Sequence, residues 1–448
     1  MNANDSQHYA QFLLRFIEDC PTAYGTVDTI KKMLIERGFT ELLEHRPWQL
    51  GAEQGYFVTR NGSSIIAFRT PAEPTAVRGY QIIATHGDSP SFKLKPVFEK
   101  RGEGGCVQWN VEKYGGVICS SWMDRPLSVA GRVVVSDGNG IRTLPVHLRR
   151  DVALIPNVAI HMDRSVNDGK KFNPQVDMLP LAGLEDKGEP LMTQIAAELG
   201  IDEGSIVSHD LYLYVRDAGK CWGLGDEFVS APRLDDLMCT YAALQGFLGD
   251  AHPSVVPVLA VFDNEEIGNS SRQGAASSLL RDTLTRIDRA LSSGEEAMLS
   301  RRLASSCLVS ADNAHAVHPN HPEYADVQNR PVMGGGIVIK TNAAQRYATD
   351  AISEAVFRQI CADAGVTTQS FANRSDMAGG STLGNTAVSD LPCLTVDIGL
   401  AQLAMHSAYE TASAEDLVSM IVAMRAFYRT SVVAESDGEY RVETCSEN

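Results

Sequence analysis

Positive charge is in short supply. The 448 residues carry 39 Lys and Arg against 56 Asp and Glu, a formal net charge of −17, which argues against a nucleic-acid or anionic-membrane partner. The nine cysteines are odd in number and scattered, with no CxxC spacing. That argues against a disulfide framework and a thiolate zinc site, and it points to a reducing, cytoplasmic setting. Low-complexity tracts and internal repeats are missing. So is any apolar run of membrane-spanning length. The opening residues MNANDSQHYAQ lack a basic stretch followed by an apolar core, so no signal peptide is expected. What remains is a globular composition, 44% hydrophobic and 21% charged, at a length that suggests two domains.

Residues 255–268 read VVPVLAVFDNEEIG. A short unbroken apolar run rich in Val reads as a strand buried on both faces of a parallel sheet. In open α/β sheets, ligand sites lie beyond the carboxyl ends of such strands. Here that end carries Asp263, Glu265 and Glu266 within four residues. Like charges this close raise one another's pKa. Taken alone, the stretch is equally a solvated acidic turn or a cation site, and the rest of the chain decides.

The spacing of apolar residues predicts helices over 6–19 and 26–36, the second stopped by Gly38, and strands over 65–68 and 80–85. The second of these strands runs into His86-Gly87-Asp88. From 92 to 232 the texture is β-rich, with a hairpin signal around 137–140. This block reads as a domain inserted into the outer one, formed by 1–91 and 233–448. Beyond it come a helix over 237–247, strands over 306–311, 335–340 and 393–398, an amphipathic helix over 350–364 and a final helix over 414–428. The outer segments alternate strand and helix. The fold expected is therefore α/β, a mixed sheet flanked by helices, with an inserted β-rich domain.

Five separated segments each deliver His or carboxylate to one edge of that sheet: His86 with Asp88, Asp235, Glu265 with Glu266, Asp312, and His406. A lone His is more often structural, and a lone strand-end Asp is often a helix cap. Five together are hard to explain as caps. Mixed N/O donors suit zinc, with manganese or cobalt as alternatives. Two His and three carboxylates exceed the needs of one tetrahedral ion. They fit two metals roughly 3.5–4 Å apart sharing a carboxylate, which is hydrolytic chemistry. Such chemistry needs a general base that is not a ligand. Adjacent Glu265 and Glu266 supply one of each, and Asp88 is placed to orient His86.

Six motifs in order, HGDSP (86–90), SAPRLDDL (230–237), DNEEIG (263–268), SADNAHAVHPNH (310–321), IKTNAAQRYAT (339–349) and LAMHS (403–407), resemble the aspartyl aminopeptidases, zinc enzymes that include the yeast vacuolar aminopeptidase I. The match spans nearly the whole chain. It implies a zinc-exopeptidase-like fold and two zinc ions per subunit. His86 would lie on one metal, Asp235 would bridge, Glu266 and Asp312 would be further ligands, and His406 would lie on the second metal. It implies Glu265 as general base, Asp88 as the orienting carboxylate, and His161 as a residue that reaches a neighbouring subunit's site to stabilise an oxyanion. It also implies a homo-oligomer, a dodecamer built from dimers, with the inserted domain contributing to contacts as dimerisation element and lid.

Peptides with a free N-terminus are the substrates implied. An acidic first residue would need a cation in its pocket, and Lys340 is the candidate, ahead of Arg346 and Arg374. With an overall charge of −17, any such selectivity must be local. His315 and His318 are candidate substrate contacts on a loop broken by Pro319 and Pro322, with His321 at the surface. One stretch departs from the family: residues 379–385 read GGSTLGN where a Cys and a Pro are common at its ends. Gly stands there in place of the Cys and Asn in place of the Pro. Neutral or broad specificity remains open, as does a non-catalytic scaffold. The retention of Glu265 and all five candidate ligands argues against the scaffold.

Overall fold

Three apolar runs dictate the centre of the molecule. Every residue of Val255–Phe262, Gly79–His86 and Cys307–Ala311 is buried, as expected of strands covered on both faces. In the computed structural model, which describes residues 3–292, 298–387 and 391–445, they form the middle of a nine-stranded sheet. Its strand order is 40–42, 55–60, 64–69, 255–262, 79–86, 307–311, 394–399, 337–340 and 368–371. Four neighbours, 255–262, 79–86, 307–311 and 394–399, run parallel. Phe262 is in register with His86. The acidic turn and the His-Gly-Asp turn therefore emerge side by side at the same edge. The strand Ile337–Lys340 runs antiparallel to its neighbour, with Ile339 opposite Ile398.

Alternation along the strands divides the core. Ile83, Leu259 and Val261 face a layer that includes Leu13, Leu237, Leu244 and Leu417, from the helices Ala3–Asp19, Leu234–Phe247 and Ala414–Tyr428. Ile82, Val258 and Ala260 face Leu279, Leu284 and Ile287 of the helix Leu279–Leu291. Each fully buried aliphatic side chain contributes roughly 1.5–3 kcal/mol.

Residues 91–215 build a separate six-stranded sheet, ordered 141–147, 127–136, 206–215, 91–101, 106–114 and 181–184. Its own core includes Phe92, Trp109, Trp122, Leu211 and Leu213. The hairpin around 137–140 is present. Leu127–Ser136 pairs antiparallel with Ile141–His147, and Asp137 Oδ1 accepts from Asn139 and Gly140 at 2.9 and 3.0 Å. Residues 220–222 and 228–231 do not join this sheet. They pair instead in a five-stranded sheet with 410–413, 401–403 and 314–315. No described helix is long and apolar enough to cross a membrane.

Several elements were not expected, the helix Leu279–Leu291 and the strands Gly55–Arg60 and Thr368–Phe371 among them, and two others stand apart from the main sheet. The helix Leu191–Leu199 lies within the β-rich block, and the hairpin Thr430–Ser436 with Glu439–Thr444 follows the final helix. The first is only nine residues long. The second is half-exposed over much of its length, so it lacks the apolar run that marks the central strands.

Ile83 is fully buried in the central parallel strand. Ile83→Ala is expected to destabilise the protein by about 2–5 kcal/mol, read as a lower denaturant midpoint. An unchanged midpoint would contradict the placement of this strand.

Candidate metal centre

The central strands end in a crowd of buried charge. His86, the last residue of its strand, is 1% exposed. Its Nδ1 meets the Asp88 backbone carbonyl at 3.1 Å. That contact assigns the proton to Nδ1 and turns the Nε2 lone pair toward the carboxylates. Nε2 stands 3.4 Å from Asp235 Oδ1 and 3.8 Å from Asp312 Oδ1. The other Asp235 oxygen, Oδ2, is 3.6 Å from His406 Nε2, which lies 3.3 Å from Glu266 Oε2. Asp235 thus offers one oxygen to each imidazole. Two groups of candidate ligands share it: His86, Asp235 and Asp312, with Asp236 beside them, and Asp235, Glu266 and His406. Within each, the donor atoms lie within 4.8 Å of one another.

The donor set fits a cation. Asp235 Oδ1 and Glu266 Oε1 are buried without a hydrogen-bond partner, a costly condition for a carboxylate oxygen. Burial pushes the Glu265 carboxyl up to about 8; His86 opposes this, while Asp312, Asp88 and Asp235 add to it. Glu266 and Asp236 rise well above the ordinary range, again chiefly through burial. Burial opposes protonation of His86, yet Asp235, Asp312 and Asp88 together outweigh it and raise its pKa. Asp312 goes the other way. Burial pushes it up, but the Lys340 ammonium and then His86 hold it well below the usual carboxylate range. Nitrogen and oxygen donors in overlapping sets of three, with negative charge in excess, are what zinc ions require.

The Asp88 carboxylate has partners beyond the imidazole. Its Oδ1 lies 3.5 Å from His86 Nδ1, farther than its backbone carbonyl. The carboxylate accepts the backbone N–H of Glu265 at 3.2 Å and of Glu266 at 3.3 Å, and the Tyr114 hydroxyl donates to it at 2.7 Å. Asp88 therefore holds the glutamate turn. Glu410 was not anticipated. It is 1% exposed, and it accepts from the Asp235 N–H at 3.0 Å and the His406 N–H at 2.7 Å, tying two candidate ligands together. Nothing in its sequence setting distinguishes it from an ordinary strand glutamate. Tyr114, 150 residues from Asn264 whose Nδ2 donates to it at 2.9 Å, carries no local signal either.

Lys340 is 3% exposed. Its Nζ lies 3.4 Å from Asp312 Oδ2 and donates to the Asn313 carbonyl at 2.8 Å. It lines one cavity with Asp235, Glu265, Glu266, Asp312 and His406. Arg346 donates to the Gly379 carbonyl, and Arg374 pairs with Asp376. His315 stands in the wall between this cavity and an adjoining one. His318 lines only the adjoining cavity, its ring 5.3 Å from that of His321, and it does not touch the carboxylates. His321 is exposed and paired with Glu323. His161 lies on an exposed turn and is not among the residues lining the cavity. Within the divergent stretch, Gly380, Ser381 and Thr382 line the cavity, and Thr382 donates to Asp397 at 2.5 Å.

The sequence profile of the family described as aminopeptidase I zinc metalloprotease (M18) matches residues 16–428. A probable M18 family aminopeptidase 2 of Clostridium acetobutylicum is 44% identical over 426 residues, covering 94% of this chain and 98% of that protein. One from Stutzerimonas stutzeri is 38% identical over 427 residues, with the same coverage of 94% and 98%. Among solved structures, a chain of the cryo-EM complex of Ape4 and Nbr1 superposes with a TM-score of 0.91 at 37% identity, covering 95% of this chain and 86% of its own. The S. cerevisiae mApe1 dodecamer gives 0.82 at 26%, covering 95% and 97%.

Because the two groups overlap at Asp235, His406→Ala should remove one of two bound zinc equivalents, whereas Asp235→Ala should weaken both. Metal analysis after dialysis against a weak chelator measures this. Two equivalents retained by the His406→Ala protein would contradict the grouping.

Proposed function

The chain belongs to the M18 family of zinc metallo-aminopeptidases, and from that premise we propose that it releases acidic residues, Asp or Glu, from the N-termini of peptides with Glu265 as general base. The observation that carries the reading is the sharing of Asp235 between two sets of donors; Glu265 belongs to neither of these, and it joins His86 of the one and Glu266 of the other in a third set of close donor atoms. His86, Asp235 and Asp312 would hold one zinc, and Asp235, Glu266 and His406 a second. Zinc bound there supplies Lewis acidity for a peptide carbonyl and a lowered pKa for water.

The protein's own groups do the rest. Asp88 fixes the Glu265 backbone, so the carboxylate is held at the mouth of the cluster. Glu265 takes a proton from the attacking water and returns it to the leaving amine nitrogen. Glu410 keeps the backbones of Asp235 and His406 in register. Among the described residues lining the cavity, Lys340 is the one Lys or Arg. With Asp312 engaged by zinc, the Lys340 ammonium would be left to attract an acidic side chain. His315 borders the same space, and His318 lies farther along, in reach of more distant parts of a peptide.

Oligomer formation completes the proposal. The mApe1 neighbour is described as a dodecamer, and we extend a dodecamer to this chain, with dimers formed through the inserted domain of residues 92–232. His161 would then enter a neighbouring subunit's site and stabilise the developing oxyanion. Exposed Val158, Ile160 and Met162 flank it, an apolar set that a partner would cover. All nine cysteines are free thiols, which supports a reducing, cytoplasmic setting. A second reading, neutral or broad specificity, draws on the Lys340 contacts with Asp312 and Asn313, which already occupy the ammonium.

Matched peptides beginning with Asp, Glu, Ala or Leu decide between them. Zinc-dependent release should favour Asp and Glu by roughly tenfold or more in kcat/KM. Lys340→Met should erase the preference with zinc retained. Preference for Ala or Leu supports the second reading, and no zinc-dependent release defeats both. Separately, Glu265→Gln should lower kcat about 10²–10⁴-fold with zinc content unchanged. Near-normal turnover in that variant would move the base elsewhere.

A further inference from the structure

We propose that Tyr114, in the inserted domain, is a positioning residue for the general base, so that alignment of Glu265 depends on how the inserted domain sits on the catalytic one. The inference deepens the functional reading and rests on Glu265 as base.

Tyr114 ends the strand Cys106–Tyr114 of the six-stranded sheet. Its hydroxyl donates to Asp88 Oδ2 at 2.7 Å and accepts from Asn264 Nδ2 at 2.9 Å. Asp88 in turn receives the N–H groups of Glu265 and Glu266 and meets His86 through its carbonyl. One phenol thus reaches the base and a candidate ligand through the Asp88 carboxylate, and the imidazole through the same residue's backbone carbonyl, and it braces the preceding Asn264 directly. The charge on Asp88 makes its bond to the phenol a strong one.

The next residues grip the opposite side of the centre. The Gly116 carbonyl lies 3.3 Å from His406 Nδ1, and the Ile118 N–H donates to the His406 carbonyl at 3.1 Å. A Cβ on Gly116 would stand 2.9 Å from His406 Nδ1, so only glycine lets the strap approach this closely. Residues 114–118 therefore touch both the glutamate turn and His406. Both contacts cross from one domain to the other. A small shift of the inserted sheet would pass through Tyr114 to the backbone of Glu265, and misplacement of a catalytic group by about 1 Å is enough to slow turnover severely.

The test uses the full-length, zinc-loaded protein and one acidic peptide. Tyr114→Phe removes the hydroxyl and leaves the ring. It should lower kcat about tenfold or more, as loss of such supporting partners does, with KM within about twofold and zinc content unchanged. Tyr212→Phe, altering the ring that packs edge-on against Tyr114 at 5.6 Å, should keep wild-type kcat. A Tyr114→Phe protein with wild-type kcat overturns the inference, as does one that loses zinc in step with activity. A wild-type protein that releases no residue with zinc bound overturns the functional reading together with this one. An active wild type beside an equally active Tyr114→Phe overturns this inference alone.

Discussion

Buried like charge is the constraint on which the rest of this structure depends. Asp88, Asp235, Asp236, Glu265, Glu266, Asp312 and Glu410 crowd one edge of a sheet whose central strands are buried throughout. Moving carboxylates out of water is expensive unless something opposes their charge. Backbone N–H groups satisfy Asp88 and Glu410, and Lys340 satisfies Asp312. Asp235 and Glu266 keep buried oxygens with no partner, and these are the atoms that zinc would take up. Asp88 and Glu410, which hold other residues in place, are thus satisfied, whereas Asp235, Glu266 and Asp236 each keep a buried oxygen unpaired and Asp312 is shared with Lys340.

The surrounding architecture follows from holding that edge still. Parallel pairing puts the carboxyl ends of 79–86, 255–262 and 307–311 next to one another, so residues far apart in sequence meet without long side chains. Helices cover both faces and exclude water. From outside, Tyr114 at the end of one strand of the six-stranded sheet and the turn that follows it to Ile118 contact Asp88, Asn264 and His406. The six-stranded sheet therefore helps to hold the cluster, even though the candidate ligands all lie outside that sheet.

Much of this was legible from residues alone. The buried strands announced themselves as unbroken apolar runs, and their chemistry stood at their ends, as in His86-Gly87-Asp88 and Asp263 to Glu266. Contacts set by tertiary packing were not legible. Nothing local marks Glu410 as the tie between Asp235 and His406, or Tyr114 as a neighbour of Asp88. Lys340 was visible as a candidate cation, but its pairing with Asp312 follows from an antiparallel strand whose direction the pattern does not encode. The hairpin after residue 428 escaped notice because its strands are half-exposed and lack the apolar run of the central ones. His161 sits on an exposed turn, and the role proposed for it needs an assembly rather than one chain.

The central claim is that Asp235 lies between two cations. The most direct measurement is anomalous diffraction at the zinc edge from crystals grown with zinc. The account predicts two peaks per chain, roughly 3.5–4 Å apart, one beside His86 and Asp312 and the other beside Glu266 and His406, with an Asp235 oxygen on each. A single peak, or two peaks that do not both contact Asp235, would contradict it.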